Sequence, residues 1–288
     1  MKSLVVELAL IVAFAVNHCY GCRAAPAGSA ASGPPVSAAQ QPDRRIDDIL
    51  DRLRQTTRKL RFYLADVEYL FEQPLFESTS LRKGRLYYGR FDDKTALLRM
   101  NFSTLKQDDQ KQRKYREEYI FDGLWLTHID FQLKAVKRYQ LADPNKLKDA
   151  NRPADVFGQI SRNFPMVGFS SADNLKKQFE IRLLDAEANA PAATIRLHLK
   201  VRPGSVYEDD YNCVEVCIDK KTFLPAEIAA VTTEDDIYRL RFNKPRINEP
   251  IDRKIFDFKI PRGFTVEVIP LKRKDEPASA VAVPAAPR

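Results

Sequence analysis

The side chains able to do chemistry in this chain are few and scattered: three histidines, four cysteines and several runs of acids. His128 and His198 stand apart from any Cys or paired carboxylate at zinc-ligand spacing, so both read as solvated strand residues, and neither a metal nor another cofactor is expected. Cys213 and Cys217 share one face of an alternating run. At about 3.3 Å per residue their Cα atoms stand roughly 13 Å apart, beyond disulfide reach. The acids at Asp92-Asp93, Asp108-Asp109, 208–210 and 234–236 mark strand ends, where they favour turns and solvation. No G-x-S-x-G, Gly-rich phosphate loop or Ser/His/Asp order occurs, whereas a glycosidase-like carboxylate pair leaves no spacing signature, so an exported hydrolase stays open as a minor alternative. Asn101-Phe102-Ser103 matches a glycosylation sequon, relevant only in a eukaryotic secretory pathway.

The elements that must position these residues are strands. Between Tyr115 and Leu141, Tyr119, Phe121, Leu124, Leu126, Ile129, Phe131, Val136 and Tyr139 interleave with charges, the pattern of half-buried antiparallel strands. Asp122-Gly123 supplies a positive-φ turn between the first two. Further strands are expected at 61–71, 82–90, 95–105, 179–185, 194–201, 211–219, 226–232, 238–243 and 266–270. Ahead of them, 43–59 places Ile46, Ile49, Leu50 and Leu53 at helical spacing behind Pro42 and a possible Asp43 cap, an amphipathic helix. The proline-interrupted stretch 143–177, with Val156, Phe157, Ile160, Phe164, Met166 and Phe169, predicts short pieces lying across the sheet.

The amino terminus has the order of a secretory signal: Lys2, the apolar run Leu8 to Val16, then small residues around Ala24 to Ala27. The run is too short to span a bilayer. A signal peptide over 1–24 is expected, with Cys22 as an alternative lipid-anchor site, although Cys19 occupies the position where a lipobox wants Leu. Removing the leader takes away Lys2, Arg23 and Glu7, so net charge moves from +8 to +7. These positives are dispersed among acids rather than gathered on one motif, which argues against nucleic acid as a partner. Residues 25–42 and 272–288, rich in Ala, Pro, Gly and Ser, read as a flexible linker and tail. One domain, 43–271, lies between them.

About eleven strands at roughly 4.8 Å spacing make a sheet on the order of 50 Å wide, while one helix covers about 10 Å of it. Such a sheet curls. The expected fold is therefore mainly β (α+β): a curved antiparallel sheet forming an incomplete β-barrel covered by a few helices.

The order of segments resembles the outer-membrane lipoprotein carrier (LolA) family over 46–271. The phrases carrying the resemblance are Gly84-Arg85-Leu86-Tyr87-Tyr88-Gly89-Arg90, YIFDGLWL from Tyr119, CIDKKTFLPAEI from Cys217 and FDFKIPRGFTV from Phe256. The resemblance implies a monomeric periplasmic carrier that shields acyl chains of lipoproteins or lipids between an inner-membrane donor and an outer-membrane acceptor protein. It also implies that Arg90 hydrogen-bonds lid backbone in a closed state, although Phe91 stands where the family usually has proline. An acyl chain needs a concave apolar wall with adaptable aromatic and Met side chains, for which the candidates beside Arg90 are Val67, Tyr69, Phe71, Leu86, Tyr88, Leu98, Met100, Trp125 and Ile129. A lipid- or lipoprotein-sensing interaction protein on the same fold remains the alternative.

Overall fold

The computed structural model describes residues 40–92, 96–141, 172–184 and 193–270. The expected signal peptide, the Cys22 anchor, the tail and most of 143–177 lie outside them. Gln40 to Pro42, expected in the linker, instead open the first helix, α1 (Gln40–Lys59). Its buried stripe is Ile46, Leu50 and Leu53, one residue every three or four, while Arg44, Arg45 and Asp48 face water. Arg58 and Lys59 occupy its last turn, where cations complement the helix dipole.

Twelve strands follow in one open, curved sheet. They are β1 (Phe62–Gln73), β2 (Ser78–Arg90), β3 (Ala96–Gln107), β4 (Arg113–Phe121), β5 (Trp125–Asp130), β6 (Ala135–Gln140), β7 (Phe179–Leu184), β8 (Thr194–Val201), β9 (Tyr211–Asp219), β10 (Pro225–Thr232), β11 (Ile237–Ile247) and β12 (Thr265–Ile269). Their spatial order is β12-β6-β5-β4-β3-β2-β1-β11-β10-β9-β8-β7. Neighbours run antiparallel except β12, which pairs in parallel with β6. An antiparallel return along β6 would need only a tight turn. The chain reaches β12 from β11 across the outer face, which leaves a parallel approach open to it.

Local chemistry sets the reversals. Asp122 Oδ1 accepts from the backbone N–H of Leu124 at 3.0 Å and of Trp125 at 2.7 Å, with Gly123 at φ 100°. Asp130 Oδ1 does the same for Gln132 and Leu133 at 2.8 and 2.9 Å. A second, short helix, α2 (Ala172–Gln178), leads into β7. Helix α1 packs against α2 and β7, and Lys176 Nζ reaches Asp47 at 2.6 Å. No helix among the described residues is long and apolar enough to cross a membrane.

Alternation splits the sheet into two unlike faces. On the concave side Tyr63, Ala65, Val67 and Tyr69 of β1 join Leu86, Tyr88, Met100, Phe102 and Tyr119, the inner residues of β8 to β11, and the stripe of α1 in one continuous apolar cluster. The convex side of β8 to β2 is ionic. His198 and Arg196 face Glu215 at 3.5 and 3.4 Å, Arg241 bridges Glu227 and Glu68 at 3.5 and 3.7 Å, and Lys83 closes on Glu68 at 2.6 Å. Opposite charges on adjacent strands stabilise the pairing on a face that no described element covers there.

Candidate functional site

Seven of the nine expected wall residues stand together on the concave face. Val67, Tyr69, Leu86, Tyr88, Leu98 and Met100 are buried there, and Phe71 packs against them from the strand end, stacked on Tyr238 at 4.5 Å. Met100 is wholly buried and Val67 is 1% exposed, so these wall residues are packed away from water. Ligand entry requires that packing to open.

Trp125 and Ile129 are elsewhere. Ile129 belongs to a second cluster on the convex face, with Ile120 and Val136 under Phe131, Phe258 and Phe264. Trp125 shares its parity, and Arg138 lies 4.9 Å over its ring. The reason is arithmetic: Leu126 and Ile129 are three apart, and in a strand an odd interval changes face. Leu126 points into the trough opposite Tyr139; Ile129 points out.

Arg90 sits at the carboxyl end of α1. Its Nη2 donates to the carbonyl of Arg58 at 2.6 Å, in the last helical turn, and its backbone N–H donates to the carbonyl of Arg61 at 2.7 Å. Asn248, at φ 57°, fastens the same corner by accepting from the N–H groups of Arg61 and Phe62 at 2.7 and 3.2 Å. Phe91 packs edge-on against Phe62 at 5.4 Å and Phe256 at 5.8 Å. A Cβ on Gly89 would meet the Phe91 ring at 2.7 Å, so the glycine makes room for that aromatic corner.

A polar island interrupts the trough, and it corrects the reading of His128 as solvated. Glu117, 3% exposed, shares the inward parity of Tyr119 and Phe121. Its Oε1 accepts from Tyr119 Oη at 2.7 Å and from His128 Nε2 at 2.8 Å; its Oε2 accepts from Tyr115 Oη at 2.9 Å and Arg82 Nη1 at 3.1 Å. The imidazole stacks flat on Tyr119, 4.3 Å between centroids. Burial pushes the Glu117 carboxyl up, but the His128 hydrogen bond and the Arg82 guanidinium outweigh it and hold it at about 2. With four donors on its two oxygens, this carboxylate is a poor proton acceptor and serves as a knot joining β2, β4 and β5. The signal for it lay in the sequence: a Glu and an Arg at in-facing positions of otherwise apolar strands. His198, on the outward face and partly exposed, faces Glu215 at 3.5 Å.

Cys213 and Cys217 are free, as their spacing predicts. Burial pushes the Cys217 thiol up to about 12, which leaves it protonated and unreactive at neutral pH. No group of three or more His, Cys, Asp or Glu among the described residues is placed to hold a metal. On the convex face a basin of about 950 Å³ stands open, lined by Asp66, Glu68, Lys83, Arg85, Asn101 and Arg241 among others. Three of its cations face acids, Arg85 with Asp66 at 3.1 Å, Lys83 with Glu68 at 2.6 Å and Arg241 with Glu68 at 3.7 Å, so it is a charged surface hollow unsuited to an acyl chain.

No protein-family model matches the chain, and no curated protein matches it in sequence. Solved structures similar to it include an uncharacterized conserved protein from Thermus thermophilus (12% identity, 77% of this chain and 97% of that one, TM-score 0.43). Others are the MucA/MucB complex of Pseudomonas aeruginosa (16%, 75% and 61%, 0.39) and a LolA superfamily protein from Nitrosomonas europaea (11%, 73% and 96%, 0.31). At these identities and scores the likeness is one of general outline, and neither ligand nor partner passes from those proteins to this chain.

Proposed function

We propose that this protein is a non-enzymatic, exported carrier of acyl chains, belonging to lipoproteins or lipids, which it holds in the trough beneath α1. It takes them up as a periplasmic monomer from an inner-membrane donor protein and hands them towards an outer-membrane acceptor. The observation that carries this reading is the continuous apolar cluster that lines the concave face of a wide, open, curved sheet, with the stripe of α1 packed into it. A twelve-strand sheet is roughly 50 Å across, and α1, 20 residues long, covers a band roughly 30 by 10 Å. The face beneath is lined with the side chains that adapt best to a flexible chain, Tyr69, Tyr88, Met100, Phe102 and Tyr119. The attachment of α1 also suits a lid. At its carboxyl end α1 is tied to the sheet by a side-chain hydrogen bond from Arg90, which can be broken without unfolding the strands. Val67, Tyr69, Phe71, Leu86, Tyr88, Leu98 and Met100 then form the wall.

Native mass spectrometry of the full chain purified from its own cell envelope tests the reading. A carrier retains acyl-bearing ligands there and exchanges them for a fluorescent fatty acid. Protein that carries no lipid and ignores the fatty acid contradicts it.

A further inference from the structure

The rims of the sheet differ in how they treat apolar side chains. At the rim formed by the β1–β2, β3–β4, β5–β6, β8–β9 and β10–β11 connections, Leu75 is 82% exposed, Phe76 69%, Leu133 76% and Val206 66%. The same residue types in the opposite rim's connections are covered: Phe223 and Leu224 are buried, and Phe62 and Phe91 pack ring to ring. Among the described residues the remaining exposed large apolar side chains, Ile260, Val266 and Val268, lie on β12 or in the segment leading to it.

Leu75 and Phe76 are not exposed through looseness. Pro74–Phe76 is a 3₁₀ turn closed by the N–H of Glu77 on the Pro74 carbonyl at 3.2 Å, and Glu77 takes φ 48° to do it. Both flanks are fastened: Thr79 N–H donates to Asp108 Oδ1 at 2.6 Å, and Gln73 Nε2 to Asp236 Oδ2 at 3.3 Å. The fold therefore holds two adjacent large apolar side chains out in water on a rigid tip.

We propose that this rim docks on a zwitterionic lipid bilayer, with Leu75 and Phe76 inserted at the headgroup–acyl boundary and Leu133 and Val206 as outlying anchors. The turns bearing Leu133 and Val206 each lie four strand spacings from the tip, roughly 20 Å to either side. A protein pocket takes one contiguous patch, whereas a fluid apolar layer takes separate points. The collar has both signs: Glu77, Asp108, Asp109, Glu234, Asp235 and Asp236 against Lys106, Lys111, Arg113 and Lys114. Zwitterionic headgroups offer both partners, and a strongly anionic surface repels the acidic side. This inference does not rest on the acyl-carrier reading.

Because the apolar run Leu8–Val16 can hold the full chain on a vesicle by itself, the readout must be local. A Phe76→Trp reporter in a Trp125→Phe background has one tryptophan, at the tip. On protein-free phosphatidylcholine vesicles its emission shifts to the blue and is quenched by brominated acyl chains, and adding Leu75→Glu weakens that signal on the order of tenfold. Unchanged circular dichroism and melting exclude misfolding, and flotation of the otherwise native chain against its Leu75→Glu/Phe76→Glu variant repeats the comparison without the reporter. A folded protein whose position 76 stays in water overturns the proposal, even if the leader binds the vesicle or a lipid enters the trough. So does a tip shielded only when membrane proteins are present.

Discussion

Glu117 is the residue where charge and core meet, and its behaviour follows from its four hydrogen bonds. Its folded pKa, about 2, lies below the ordinary 4.5, so it contributes stability above pH 4.5 and loses it as pH falls towards 2. The difference corresponds to roughly 3 kcal/mol. Glu117→Gln should therefore melt well below the native protein at pH 7, and the two should converge as pH is lowered from 4.5 to 2. Parallel melting curves across that window would show that the knot is not ionic. Gly84 gives a steric counterpart: a Cβ there would lie 1.9 Å from the backbone oxygen of Asn101, next to the register shift between β2 and β3. Gly84→Ala should lower the denaturant midpoint by an amount equivalent to about 1–3 kcal/mol or more, and an unchanged midpoint would contradict the close approach. Residue parity was partly legible in the sequence. Val67 through Met100 follow an unbroken period of two within their strands, and Trp125 and Ile129 were misplaced because apolar residues line both faces of β5. Nothing in the strand itself says that Phe258 and Phe264 return to cover the outer one.

Among the elements, α1 is the one that the carrier proposal requires to move. Its far end lies against α2 and β7, and its near end depends on Arg90, whose guanidinium meets the helix's carbonyl terminus. Arg90→Leu should cost only about 1 kcal/mol of stability while amides of the last two turns of α1 exchange several-fold faster. Exchange unaltered by the substitution would mean that Arg90 does not hold the lid. The strands and α1 were legible because each carries its own periodicity, and helix 43–59 was misjudged only by three residues at its start. The parallel pairing of β12 was not. Its burial is low on both faces, so neither alternation nor composition distinguishes its partner, and its position follows from a convex-face path fixed by Arg99, which donates to the carbonyls of Ile255 and Asp257 at 2.6 and 3.0 Å.

At the level of the whole molecule, the inner face of the open sheet is apolar apart from the Glu117 knot, whereas the outer face is charge-paired from β8 to β2 and closed by Phe258 and Phe264 over β4 to β6. The sequence indicated that asymmetry through strand alternation and strand count, and the width of the sheet made curling unavoidable. How deeply the wall residues are covered was not legible, because cover depends on contacts between segments far apart in the chain; in the structure Val67, Met100 and Phe102 are buried. A carrier must then exchange internal side-chain contacts for ligand contacts, so that α1 opens when a chain enters. Photolabelling with a diazirine-bearing fatty acid, followed by peptide mapping, tests this most directly. Adducts are expected on Tyr69, Met100 and Phe102, suppressed by excess unlabelled fatty acid. Adducts confined to the charged convex basin around Glu68, Lys83 and Arg241, or no competed adduct at all, would contradict it.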